Sequence, residues 1–222
     1  MRAWLNRLRR AAWRLLFHRM LFGERAADGR ALRFTRISPS TCIEDEDRLE
    51  LGDHVFIGHF NFIEASGGVR IAEGVQITNF VSIVTHSSHA ALRVMGRSYA
   101  VGAHERVGFV TAPVTIGAYS FIGPHSLIEA GTTLGKGCVV AAYSAVRGEF
   151  PDFSVIRGNP AERVGDTRDA DAKLLAMHPE LTAQYLEWAG SLPVGCASAH
   201  RDAERCAEAH PTGNGGNGGD GR

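Results

Sequence analysis

The chain has 222 residues, with 24 Lys and Arg balanced by 24 Asp and Glu and a hydrophobic content of 44%. Zero net charge gives no global electrostatic case for nucleic acid, and no run reaches the roughly 18 to 20 uninterrupted apolar residues that span a bilayer. Cys42, Cys138, Cys196 and Cys206 have no CxxC or Cys/His zinc spacing, so free thiols in a reducing compartment are expected.

Residues 1–23 hold six arginines and no acid. At about 100° per residue, Trp4, Leu5, Leu8, Ala11, Ala12, Leu15, Leu16 and Phe22 gather on one side, and Arg7, Arg10, Arg14 and His18 on the other, which predicts an amphipathic helix. Two roles fit this pattern. The stripe docks on the end of the following domain, or it lies on an anionic membrane surface with Trp4 and Trp13 near the boundary. Arginines break the apolar run too often for a secretory signal, although a mitochondrial transit peptide has similar composition. Residues 24–36 read as a linker with a turn at Asp28-Gly29.

From residue 37 the aliphatic residues recur every six positions. The beat is weak at Ile37, Ile43 and Leu49, restarts at Leu51 and again at Ile71, and is unbroken through Ile116, Ile122, Ile128, Leu134, Val140 and Val146. Neither an amphipathic helix nor a half-buried strand has that period. With about a quarter of residues Ile, Leu or Val, six hits in register arise by chance on the order of once in several thousand. Four positions after each aliphatic residue stands a small one, at Ser120, Ser126, Thr132, Cys138 and Ser144, as a corner requires. A parallel β-helix follows, in which each turn buries its interior only by stacking on the next. Each restart needs two extra residues, expected to bulge from a corner as a loop.

The beat is absent over residues 86–113, and a long excursion from a rigid scaffold is where chemistry is usually placed. Prolines and glycines end the coil after Val146, one helix is expected over about 169–189, and residues 191–222 read as a disordered tail. The fold class is therefore mainly β. A β-helix over 37–165 lies between an N-terminal helix with its linker (1–36) and a C-terminal helical segment (166–190). Within it, His86 and His89 sit where the coil gives way to the excursion. Imidazole suits proton abstraction from a hydroxyl near neutral pH, so both are candidate bases.

Residues 85–93 (THSSHAALR), 113–146 (PVTIGAYSFIGPHSLIEAGTTLGKGCVVAAYSAV) and 156–164 (IRGNPAERV) resemble the hexapeptide-repeat acyltransferases. The resemblance is to the branch holding maltose, galactoside, nodulation and polysaccharide O-acetyltransferases, and it covers a little over half the chain. It implies a left-handed β-helix, a homotrimer with sites between subunits, acetyl-CoA as co-substrate, no metal, and a saccharide acceptor. It places the catalytic base at His86, with His89 in support or as the alternative. Asn61, Arg93 and Phe121 fall on the acceptor side, Phe121 where many members have Trp. Ala141, Ala142 and Ser144 match the stretch along the pantetheine arm, and Pro160 and Arg163 its phosphate and adenine end. Tyr143 departs from the family's usual glycine. A cytoplasmic protein, peripheral at the inner membrane face through residues 1–23, fits this reading.

Two other classes are weighed. A carbonic-anhydrase-like zinc β-helix would use His54 and His59, but an earlier third histidine is missing between His18 and His54, and GNPA would go unexplained. A non-catalytic β-helix binding module predicts no acetyl-CoA binding.

Overall fold

A computed structural model describes residues 2–17, 19–102 and 106–193. The chain divides after Thr167 into two compact units.

The first unit begins with helix α1 (Arg2–Phe17). Trp4, Leu5, Leu8 and Leu15 are exposed, so the expected docking of the apolar stripe on the coil does not occur. The expected linker is also corrected. Strands β1 (Leu21–Arg25) and β2 (Ala31–Ile37) pair antiparallel around the Asp28-Gly29 turn. The physical reason is that Thr35 and Ile37, two residues apart, turn inward from exposed Phe34 and Arg36, with Leu32 buried as well.

The coil follows as β3 (Cys42–Glu44), β4 (Leu49–Leu51), β5 (Phe56–Ile57), β6 (Phe62–Glu64), β7 (Val69–Ile71), β8 (Gln76–Ile77) and β9 (Ser82–Val84). An excursion then carries β10 (His86–Ser87), α2 (His89–Met95), α3 (Arg97–Ala100) and β11 (Val110–Thr111). The coil resumes as β12 (Val114–Ile116), β13 (Phe121–Ile122), β14 (Leu127–Ile128), β15 (Thr133–Leu134), β16 (Val139–Val140), β17 (Ala145–Val146) and β18 (Glu149–Phe150). It closes with the antiparallel pair β19 (Ser154–Gly158) and β20 (Ala161–Asp166).

Three sheets form the walls. Sheet I runs β1-β2-β5-β8-β13-β16-β19-β20, sheet II β3-β6-β9-β14-β17, and sheet III β4-β7-β12-β15-β18. Stacked partners are parallel, with Ile57 opposite Ile77, Ile63 opposite Ile83 and Ile122 opposite Val140. The six-residue aliphatics are the core, and Ile57, Ile63, Ile77, Ile83, Ile116, Ile122, Ile128 and Val140 are fully buried. The small residues do more than make room. Ser120 Oγ donates to the Gly135 carbonyl at 3.1 Å and Ser126 Oγ to that of Ala141 at 3.0 Å, so each ties its corner to the next coil.

The extra residues at each restart do not bulge. Leu49 and Leu51, Val69 and Ile71, and Val114 and Ile116 each occupy both inward positions of one sheet III strand. Two residues are one full side-chain period of a strand, so the insertion lengthens the wall without turning its inner face outward.

In the second unit the single expected helix is broken into α4 (Arg168–Met177), a short turn at Pro179–Leu181, and α5 (Thr182–Ala189). Pro179 has no N–H to donate and restricts His178 before it, which leaves the helical region at φ −131°. Tyr185 Oη donates to Asp171 at 3.1 Å and joins the two pieces. The tail expectation falls almost wholly outside the described residues.

Candidate functional site

Glu64 ends β6 and is paired in register with Val84, one coil along, while His86 opens the excursion from the same sheet. That stacking brings the His86 imidazole over a carboxylate that the sequence reading had passed over. His86 Nδ1 lies 2.8 Å from Glu64 Oε2, with side chains 37% and 4% exposed. Glu64 also accepts the backbone N–H of Ser66 at 2.7 Å, and the N–H and hydroxyl of Thr85 at 2.9 and 2.8 Å. Burial alone raises a carboxyl pKa, but the hydrogen bonds from Ser66 and Thr85 outweigh it and hold Glu64 down at about 2. The group is therefore an anion at neutral pH and only accepts. Nδ1 of His86 must carry the proton it donates, so in the neutral ring the lone pair falls on Nε2.

Further contacts fix the ring. Ser66 Oγ sits 3.3 Å from Nδ1, and Phe109 stacks on the imidazole at 5.3 Å. Arg106 lies over Phe109 at 5.4 Å and over Tyr99 at 5.8 Å, and His86 pairs with Thr111 across the base of the excursion. Beside it opens a cleft of about 360 Å³, lined among others by His86, His89, Leu127, Glu129 and Arg147.

His89 lines this cleft but is exposed at the start of α2, its Nδ1 2.6 Å from Ser87 Oγ and without a carboxylate partner among the described residues. The structure brings the two histidines together and gives only His86 an orienting anion.

The remaining predicted residues are dispersed. Asn61 is buried, its amide donates to the carbonyls of Gly58 at 3.0 Å and Thr78 at 2.7 Å, and its oxygen accepts from Val81 N–H at 2.8 Å. Both N–H groups are spent on the wall, so none is left for an acceptor hydroxyl. Arg93 donates to the His89 carbonyl at 2.9 Å and is not among the residues lining the cleft. Phe121 stands on sheet I, whereas His86 lies on β10, which pairs with β11 beyond the end of sheet II strand β9.

Ala141, Ala142 and Ser144 form the corner between sheets I and II, whereas His86 leaves the far end of sheet II. Ser144 is buried with its hydroxyl donated to Ala141, so only backbone is offered there; Ala142 is exposed. Pro160 is exposed between β19 and β20, and Arg163 on β20 pairs with Asp166 at 3.0 Å. Tyr143 holds φ 60° and, 70% exposed, stacks on His125 at 4.8 Å, continuing a column through Phe80 and Phe60. His54 stacks on Phe34 at 4.6 Å, and His59 Nδ1 bonds Ser38 Oγ at 2.6 Å on a different corner, so the pair weighed for zinc is not brought together.

A family model described as bacterial transferase hexapeptide (six repeats) matches residues 113–148. The putative lipopolysaccharide biosynthesis O-acetyl transferase WbbJ of Escherichia coli K12 is 30% identical over 141 residues, covering 64% of this chain and 68% of that protein. The galactoside O-acetyltransferase of the same organism is 28% identical over 62% of this chain and 66% of its own. A probable acetyltransferase of Mycobacterium tuberculosis is 29% identical over 65% of this chain, a match spanning only 46% of that longer protein. Two solved structures share the fold. One is AntD, an N-acyltransferase from Bacillus cereus in complex with dTDP and 3-hydroxybutyryl-CoA (18% identity, TM-score 0.54, 71% of this chain and 89% of that one). The other is a hexapeptide-repeat acetyltransferase from Vibrio cholerae O1 biovar eltor complexed with acetyl coenzyme A (22% identity, TM-score 0.50, 73% and 78%). The coil is thus the left-handed parallel β-helix of hexapeptide transferases. This chain belongs to the hexapeptide-repeat acyltransferase family.

Proposed function

We propose that the protein is an acetyl-CoA-dependent O-acetyltransferase acting on a hydroxyl of a saccharide or of a cell-surface polysaccharide precursor, with His86 as general base. The observation that carries this reading is the 2.8 Å contact of His86 with an ionised, buried Glu64 beside an open cleft. The acceptor class is supported by the names of the two E. coli relatives, both O-acetyl transferases, one of galactosides and one assigned to lipopolysaccharide biosynthesis.

Bound acetyl-CoA supplies an activated acyl thioester. Nε2 of His86 takes the hydroxyl proton as the acceptor oxygen bonds to the acyl carbon; the carbon–sulfur bond breaks, and the imidazolium returns the proton to the departing sulfur. Glu64 holds the ring in the required tautomer and stabilises the imidazolium. Backbone N–H groups of the cleft stabilise the oxyanion.

The reaction is placed in a homotrimer, with Ala141, Ala142, Ser144, Pro160 and Arg163 of one protomer facing His86 of its neighbour across acetyl-CoA. Its support is that the 141–144 corner leads into sheet II while His86 follows the end of a sheet II strand, so within one protomer they stand at different corners. A thiol-release assay with acetyl-CoA against a panel of saccharides tests the proposal. His86→Ala should lower the rate roughly 100-fold or more while a thermal shift with CoA persists. Full activity in that variant refutes the base assignment, and the absence of any CoA shift in the parent chain favours the non-catalytic reading.

A further inference from the structure

We propose that α1 is a docking element for an anionic lipid surface, lying in the interface plane. This inference is independent of the transferase reading. It starts from an exposed apolar stripe: Trp4 and Leu15 are 62% and 69% exposed, with Leu5 and Leu8 between them at 47% and 48%. Just beyond the helix, Leu21 and Phe22 on β1 add two more exposed apolar side chains, at 51% and 61%. A helix of 16 residues is marginal in water on its own, and a stripe left in solvent contributes nothing to holding it. Such a helix requires a surface.

Charge decides which surface. The helix RAWLNRLRRAAWRLLF carries five arginines and no carboxylate. At about 100° per residue Arg7 and Arg14 border one edge of the stripe and Arg9 the other, while Arg10 projects from the opposite face. Cations flanking an apolar stripe can bury their aliphatic stems and keep their guanidinium groups at the level of phosphate headgroups. A second copy of the same helix would bring ten arginines together without one carboxylate from either helix, so self-association through this stripe is opposed by like charge. An anionic bilayer satisfies both faces at once. The helix is about 24 Å long at 1.5 Å per residue, and its arginines interrupt every apolar run, so it lies on the membrane and does not cross it. Consistent with that placement, no helix among the described residues is long and apolar enough to cross a membrane.

The test is co-sedimentation of the full chain with vesicles of phosphatidylglycerol, and with vesicles of phosphatidylcholine alone, at about 0.1 and 0.5 M salt. Binding to the anionic vesicles that weakens at the higher salt is expected, with little binding to the zwitterionic ones. Arg7→Gln with Arg14→Gln should weaken partition about 25-fold, from about fivefold per cation. Leu5→Ser with Leu8→Ser should weaken it at least about tenfold, with the far-ultraviolet spectrum of the coil unchanged. No sedimentation of the parent chain with phosphatidylglycerol, or equal partition to both vesicle types, overturns the proposal. So does a Leu5→Ser/Leu8→Ser chain that keeps its lipid binding but loses mass by light scattering without lipid, because the stripe would then be a contact between copies.

Discussion

Replacing Glu64 by Gln tests whether the buried carboxylate sets up the base. Oε2 accepts three donors, from Thr85 N–H, Thr85 hydroxyl and His86 Nδ1, and Oε1 accepts from Ser66 N–H. An amide can place its oxygen on only one side, so its NH2 must face at least one buried donor, which costs about 1–3 kcal/mol. If the NH2 faces His86, it donates to Nδ1, the proton moves to Nε2, and the base is lost. A fall of about 100-fold in kcat is expected with KM for acetyl-CoA unchanged, because Glu64 acts through His86. Stability carries a second signature. The carboxyl pKa is near 2 in the folded chain against an ordinary 4.5, so ionised Glu64 stabilises the fold above about pH 4.5 and that contribution is lost as pH falls toward 2. At about 1.36 kcal/mol per unit the full contribution is roughly 3 kcal/mol, of which about 2 kcal/mol is gone by pH 3. Urea unfolding at pH 7 and pH 3 should therefore show a smaller acid loss in Glu64→Gln than in the parent by about that amount. A variant with parental kcat and the same acid loss would refute the dyad.

His89→Ala should lower kcat less than about tenfold, in contrast to His86→Ala, since only His86 has the orienting carboxylate; thiol release under matched conditions compares them. Asn61→Ala strands the carbonyl of Thr78 and the N–H of Val81, while the Gly58 carbonyl keeps the Thr41 hydroxyl, and should destabilise the coil by at least about 2 kcal/mol in thermal melts while leaving KM for the acceptor unchanged. Tyr143→Gly removes a left-handed residue worth about 1–2 kcal/mol of strain and a ring stack worth about 0.5–1.5 kcal/mol, so the two nearly offset and stability should change by no more than about 1.5 kcal/mol, read by calorimetry.

The period of six was enough to identify the coil because every interior position faces one of only three walls, and the same aliphatic residue type serves all of them. It was not enough to place the two-residue restarts. Leu49 and Leu51 are both inward because a strand repeats every two residues, a shorter period hidden inside the longer one. The hairpin before the coil was obscured by its exposed arginines and by a burial pattern, Leu32, Thr35 and Ile37, that alternates only over its last two members. For the site, His86 was legible from its place at the break in the beat. Glu64 was not, because an isolated glutamate beside a coil position reads as a solvated residue. The missing signal was the height of one turn. Strand partners in the early coils lie twenty residues apart, as with Ile63 and Ile83, and counting back twenty from His86 arrives at Ser66, two residues past Glu64. Asn61, carried over from a family position, proves to have its amide committed to the corner, which the sequence pattern does not reveal.

The register that closes the core is also the register that completes the base. Glu64 and His86 belong to successive coils, and their contact depends on β6 lying in step with β9, Ile63 over Ile83. Inserting one residue between Val69 and Ile77 would turn the aliphatic set of β8 and β9 outward or force a bulge, and it would carry His86 off the carboxylate with them. Inserting two preserves the inward face, which is the length change the chain itself uses at each restart in sheet III. The coil therefore accommodates changes of length in pairs where the wall is long, and rejects single ones between the carboxylate and the imidazole that must meet it.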